Sequence, residues 1–348
     1  TMSYIVVVNP AILSTNGTGL SYSGVLTATV LTSFACTLLM GMYAKLPYAV
    51  APGMGINAFF TYNILLERKI PWPVAFGIVV WAGVLFLFTS VTGIRERLAR
   101  AIPRSLRYGS AAGIGFFLAF IGFKSAGLVV AHPVTFVTMG PLQFESLAAV
   151  AGILFATWLA RRSEALAYLG TIALLTVAGL ISGKIQAPQK FVSLPDFDSH
   201  FFRFDLWGAF KLSLLPPIFT IFLTDLFDSV STFVGVSQAA KLHDSHGEPL
   251  RLKEGLVVDA LATLSAGLFG SSSGTAYIES AAGIRAGGRT GATAITVAFL
   301  FLPCLFIGPL VSVVPAFATA PVLILVGISM LGNLREVDLN HAEVYVPA

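Results

Sequence analysis

Long blocks of apolar residues alternate with short polar connections along this chain. A block of about 20 apolar residues is long enough to cross a bilayer as a helix. The pattern predicts twelve such segments, near 2–14, 24–44, 46–66, 72–92, 106–130, 144–160, 165–183, 211–240, 252–270, 275–290, 291–314 and 317–333. A further run, AEVYVPA, begins at 342. Two of the twelve do not read as ordinary helices. The third contains VAPGMGINAFFTY (50–62), where Pro52, Gly53 and Gly55 interrupt the helix before Asn57. The tenth contains GSSSGTAYIESAAG (270–283), whose serines and glycines suit extended chain over 271–276, with a half-helix starting near Tyr277 or Ile278.

Irregular backbone at membrane depth survives only where it is buried in protein or lines a polar cavity. The broken segments are the third and the tenth, corresponding positions in two sets of seven. Such a pair is the sequence mark of an inverted-repeat transporter with its site at the midplane. The fold class expected is therefore an all-α integral membrane protein, a seven-plus-seven inverted repeat. Its first repeat covers 1–183 and its second 204–348. Fourteen segments are then expected, with AEVYVPA at the start of the thirteenth and the last two absent.

Polar residues inside the apolar blocks carry the chemistry. Four carboxylates fall within predicted segments: Asp225, Asp228, Asp259 and Glu279. A charge at the bilayer centre costs at least about 2.5–3.5 kcal/mol, so such groups normally face a cavity and mark a binding site or ion pathway. Asp225 and Asp228, three apart in TDLFDSV (224–230), fall on one helix face and are the expected proton-coupling pair. Asp259, in GLVVDALATLSAGLFG, reads instead as a buttress to a neighbouring helix. Glu279, in the first turn of the tenth segment's half-helix, is the expected main substrate-binding group.

Composition agrees with this pattern. The chain is 56% hydrophobic and only 11% charged, against roughly 25% charged in a soluble domain. Lipid is therefore its principal surroundings. The net charge of +4 is no nucleic-acid signature, because it is sorted by topology. Loops on the N-terminal side of the predicted segments carry 14 Lys and Arg against 7 on the other. The positive-inside rule then places the N-terminus in the cytoplasm of an inner or plasma membrane. Cys36 and Cys304 lie in apolar runs and read as packed thiols. All five histidines (132, 200, 243, 246, 341) fall in loops or near segment ends. HDSH (243–246) has metal-ligand spacing but reads as a solvated loop. With neither a nucleophile–base pair nor a metal constellation, an enzyme is not expected, and no cofactor.

NPAILS (9–14), APGMGINAFFTY (51–62), GIRERL (93–98) with AIPRSLR (101–107), TDLFDSVSTFVGV (224–236) and TAYIESAAGIRAGGRTG (275–291) together resemble the AzgA-like purine permeases of the nucleobase transporter superfamily. The resemblance runs in order along almost the whole chain. It implies fourteen helices divided into a core domain (segments 1–4 and 8–11) and a gate domain (5–7 and 12 onward). It also implies proton-coupled uptake of adenine, guanine or hypoxanthine. Asp225 or its neighbour Asp228, together with Glu279, would bind purine or proton, with Asn57 near the site.

The residues fit that chemistry independently. A purine is flat, neutral and rich in N–H donors, so its site needs acceptors and an apolar slot. A carboxylate can accept two adjacent N–H donors, and a charged acceptor makes the stronger bond. The expected substrate contacts are Glu279, Asp225, Asn57, Phe59, Tyr277 and Thr275, with Phe60 and Phe227 as further slot-lining rings. Either a proton or sodium could be the coupling ion, and a homodimer is compatible with this class. The rival reading is a sulfate- or bicarbonate-type anion transporter of the same architecture, whose anion would face two half-helix N-termini. The carboxylates nearby disfavour it.

Overall fold

The computed structural model describes residues 2–92, 94, 104–243, 249–332 and 334. Arg95 and Arg97 of the GIRERL stretch, Arg100, His246, Arg335, His341 and the AEVYVPA run lie outside the described residues.

Each predicted apolar segment contains a helix. α1 (Ile5–Leu13) follows a 3-10 turn, Met2–Tyr4. α2 (Tyr22–Leu39) starts at the N-cap Ser21, whose hydroxyl accepts from the Gly24 N–H. It widens into a π-turn, Met40–Ala44, that the left-handed Lys45 (φ 56°) ends. The third segment is broken as expected, into an extended stretch β1 (Val50–Pro52), a short helix α3 (Met54–Ala58) and a π-helical run, Phe59–Glu67. α4 is Trp72–Val91 and α5 is Arg104–Ser125.

The fifth segment was expected to continue to 130, but α5 ends at Ser125. Gly127 turns the chain at φ 70°, and the β-branched run that follows pairs as a hairpin, β2 (Val129–His132) antiparallel to β3 (Phe136–Met139). Valines suit a pleated surface better than a helix end. α6 (Phe144–Ala160) and α7 (Glu164–Ile181) close the first half. The second half has α8 (Leu215–Ala240), α9 (Leu252–Phe269), the extended β4 (Gly274–Ala276), α10 (Ser280–Arg285), α11 (Gly291–Phe301) and α12 (Ala316–Leu331). The all-α expectation therefore becomes mostly helical, with two short antiparallel pairs.

Three helices, Tyr22–Ala44, Trp72–Val91 and Leu212–Ser237, are long and apolar enough to cross a membrane unaided. The largest buried cluster joins α1, the third segment, α4, α8 and parts of α5, α9 and α12. Large apolar side chains also point outward, among them Phe88, Phe116, Leu154 and Leu300. Apolar exposure spread over several helices in this way suits lipid rather than water.

Packing follows small residues. α5 lies against α12, and α12 also packs on α6 and α7, while α9 packs on α4 and α2, α8 on α4, and α11 on α2. At the α5–α12 crossing a Cβ on Gly115 would sit 2.6 Å from the Gly327 carbonyl oxygen, and one on Gly327 would sit 2.5 Å from that of Gly115. Where lipid tails are as apolar as leucine, such close backbone approach supplies the van der Waals contact that holds helices together.

Candidate functional site

The two broken segments meet. β1 and β4 pair antiparallel in the register Val50↔Ala276, Ala51↔Thr275 and Pro52↔Gly274. Gly270, at φ 95°, ends α9 and turns the chain into the extended stretch. Beyond the pair, the Gly53 N–H donates to the Ser273 carbonyl at 2.8 Å and the Tyr277 N–H donates to the Ala49 carbonyl at 3.0 Å. Three paired residues cannot satisfy two open backbones in a dry interior, and side chains from five surrounding segments complete the set.

Each residue from 271 to 276 is held by a polar partner from elsewhere. Asn9 on α1 donates to the Ser271 hydroxyl at 3.2 Å and to Thr29 at 2.7 Å. Ser272 donates to the Asn57 side-chain oxygen. Ser273 donates to Asp225 at 2.5 Å, and the Thr263 hydroxyl reaches both Asp225 and the Gly274 carbonyl. Thr275 lies 3.3 Å from Ser229. Asp259 accepts from the Ala276 N–H at 2.7 Å and from Ser229. On the other strand Thr37 bonds both backbone groups of Val50 at 2.9 Å, and the Tyr277 hydroxyl donates to the Pro52 carbonyl. Hydrogen bonds of this kind contribute about 1 kcal/mol each, but leaving any one of these buried groups unmet would cost about 1–3 kcal/mol.

This geometry divides the four membrane carboxylates by role. Asp225 and Asp259 are buried, 1% and 0% exposed, and both accept hydrogen bonds from the extended segment or its supports. Asp259 is the buttress the sequence suggested. Asp228 and Glu279 are only half-buried, and Asp228 is close enough to interact electrostatically with Glu279 and Asp259. Asp225 and Asp228, expected as one pair, therefore have different neighbours despite their spacing. Glu279 accepts from the Tyr4 hydroxyl at 2.7 Å. It occupies the N-cap position of α10 in helical conformation (φ −60°, ψ −16°), within a turn that the Ser280 N–H closes by donating to the Tyr277 carbonyl at 3.1 Å.

The other residues expected to contact substrate differ in their surroundings. Asn57 is wholly buried and engaged by Ser272. Thr275 is buried at the centre of the strand pair, and the Tyr277 ring is 5% exposed. Phe59 and Phe227 are half-buried against the main core, whereas Phe60 is fully buried and stacked on Phe76, centroids 5.7 Å apart. Phe60 is thus core packing. Sequence reasoning missed Tyr4, Asn9, Ser229 and Thr263. Asn9 had a signal, a polar residue before Pro10 within an apolar run. Tyr4 had none, since a lone tyrosine near the start of a segment is common.

A buried pair of broken helices, flanked by acceptors and set among helices with lipid-suited exteriors, defines a multi-pass membrane transporter, not an enzyme. The sequence matches the permease family over residues 1–344, and the chain belongs to that family. It is 41% identical over its whole length to a protein of Methanocaldococcus jannaschii named as a permease, covering 80% of that protein. It is 38% identical to the adenine permease AdeP of Escherichia coli, covering 100% of this chain and 78% of that protein. Against the guanine/hypoxanthine permease PbuO of Bacillus subtilis it is 36% identical, covering 100% of this chain and 82% of the relative. The fold is like the transmembrane domain of a cyanobacterium bicarbonate transporter, BicA. The TM-score is 0.74 at 16% identity, over 99% of this chain and 91% of that one.

Proposed function

We propose that this protein imports purine nucleobases by proton symport with alternating access. The observation that carries the reading is the half-buried pair Asp228 and Glu279 beside the joined strands. The polar side chains named there are carboxylates, hydroxyls and two amides; the carboxylates suit a neutral ligand rich in N–H donors and repel an anion. Glu279 is the purine acceptor. Asp228 is the proton carrier, because burial penalises charge and a proton removes it. Asp225, which the sequence offered for both roles, serves to hold the extended segment. Phe59 and Phe227 form the slot walls, with Asn57, Thr275 and Tyr277 fixing the floor. The names of the adenine and guanine/hypoxanthine permeases among its relatives support the substrate class. The likeness to a bicarbonate transporter is one of fold and does not carry the substrate with it.

In this reading the two halves are inverted repeats, supported by the antiparallel β1–β4 pair and by α2 clamping β1 as α9 clamps β4. Helices α1–α4 and α8–α11 form a core that carries the site. Helices α5, α6, α7 and α12, which pack on one another, form the gate. The decisive experiment is uptake of radiolabelled hypoxanthine and adenine into proteoliposomes with and without an inward proton gradient. Gradient-driven accumulation blocked by unlabelled purine but not by bicarbonate or sulfate is the expected result. Uptake of labelled bicarbonate, with no purine transport, would sink the reading.

A further inference from the structure

We infer that Tyr4 is a positioning residue for Glu279, so that the turn Met2–Tyr4 belongs to the substrate site. The inference rests on the reading of Glu279 as the purine acceptor. The Tyr4 hydroxyl donates to Glu279 Oε1 at 2.7 Å across 275 residues of sequence. The Tyr4 side chain is completely buried. Its ring stands edge-on to Tyr168 of α7, with centroids 5.3 Å apart and planes at 76°. The turn Met2–Tyr4 also packs against α7. Tyr4 thus links three elements: the start of α1, the N-cap of α10 through Glu279, and α7 through Tyr168.

The physical case is one of preorganisation. Glu279 is half-buried on a flexible side chain at the start of a six-residue helix. A ligand must meet its carboxylate in one orientation, and fixing an unrestrained rotamer-rich side chain on binding costs affinity. A tyrosine has few rotatable bonds, and here its ring is locked by Tyr168, so its hydroxyl is a fixed point. A donor held at that point sets the plane of the carboxylate and keeps it an acceptor, through a charge-assisted bond stronger than a neutral one. Support of this sort from a second residue is what holds a binding group to productive geometry. Tyr4 therefore acts through Glu279, and its contribution to binding depends on that carboxylate.

A double-mutant cycle tests this dependence. Hypoxanthine and adenine are titrated calorimetrically into the purified protein in detergent, and the cycle is run on whichever binds. Loss of the hydroxyl in Tyr4→Phe should weaken binding about tenfold, the scale of a hydrogen bond to a charged group, while leaving the ring on Tyr168. In a Glu279→Gln background the same change should alter affinity less than about threefold, because residues that act as a unit are not additive. Tyr168→Leu, which leaves the hydroxyl but frees the ring, should weaken binding in the wild-type background and not in Glu279→Gln. It supplies the same test if Tyr4→Phe fails to insert. Equal losses in both backgrounds, or wild-type affinity in Tyr4→Phe, would show that Tyr4 only packs and would overturn the inference while the purine reading stands. If the wild-type protein binds neither purine, the functional reading falls and this inference with it.

Discussion

At the scale of single residues, four carboxylates of similar sequence context have different surroundings, and mutation should separate them. Asp259→Ala leaves the Ala276 N–H and the Ser229 hydroxyl without their acceptor. Each orphaned buried donor costs about 1–3 kcal/mol, so the variant should unfold at clearly lower temperature in detergent. Asp228→Asn should unfold near the wild-type temperature yet lose concentrative uptake, keeping some counterflow of labelled purine. Normal accumulation by this variant under a pH gradient would remove Asp228 from the coupling step. Glu279→Gln should lose about 2–4 kcal/mol of binding, roughly 30- to 1,000-fold, because a donor replaces an acceptor opposite the ligand's N–H. Affinity within threefold of wild type by calorimetry would place the substrate elsewhere. The sequence singled out Glu279 by its place in the broken tenth segment. It could not divide Asp225 from Asp228, because helical spacing gives direction on the helix and not the identity of the neighbour in that direction.

At the scale of elements, the third segment owes its shape to contacts as well as to its own breakers. Gly55 shows the contacts. The sequence offered it as a helix interrupter, yet it lies inside α3, where a Cβ would collide with Ile114 of α5. That contact couples the broken segment to the helix group outside the site. Gly55→Val should therefore reach the membrane in normal amount and fail to transport, read by surface labelling alongside uptake. Wild-type uptake by that variant would show that the α3–α5 approach tolerates a side chain and has no functional consequence. The breaks themselves were legible because proline, glycine and serine runs conflict with a lipid-facing helix. Their pairing as β1 and β4 was not, since the strands are only three residues long and more than two hundred residues apart. Nor was the β2–β3 hairpin, which hydropathy merges with α5.

At the scale of the whole molecule, the long connection between the two halves ties back onto the first. Asp196 accepts from Ser23 at 2.7 Å and Ser199 at 2.6 Å. His200 accepts from the Ser21 N–H at 2.8 Å, at the start of α2. Partial burial works against the charged form of Asp196, but hydrogen bonds from Ser199, Ser23 and the backbone outweigh it and hold its pKa at about 2, below the ordinary 3.8. Burial lowers the His200 pKa below the ordinary 6.5. Both folded-state values are depressed, so both contributions are present above the ordinary values and decline as pH falls. The His200 share should fade below about pH 6.5 and the Asp196 share between about pH 4 and pH 2. Thermal unfolding across this range should show stability falling with acid in two steps, and Asp196→Asn should flatten the lower one. An unchanged acid profile in that variant would disconnect the loop from stability.

What the sequence determined by itself was the solvent, the order of segments, the two breaks and the short list of acidic residues. Each of these follows from a local conflict between residue type and lipid: apolar length, a helix breaker, or a charge with no water. The tertiary structure alone decided which acidic residues are spent on holding backbone and which stay half-buried beside the joined strands. It also brought Tyr4 to Glu279 and Asn9 to Ser271. Those choices depend on partners far apart in the chain, and a buried polar group is defined by whichever group satisfies it, which no local pattern records.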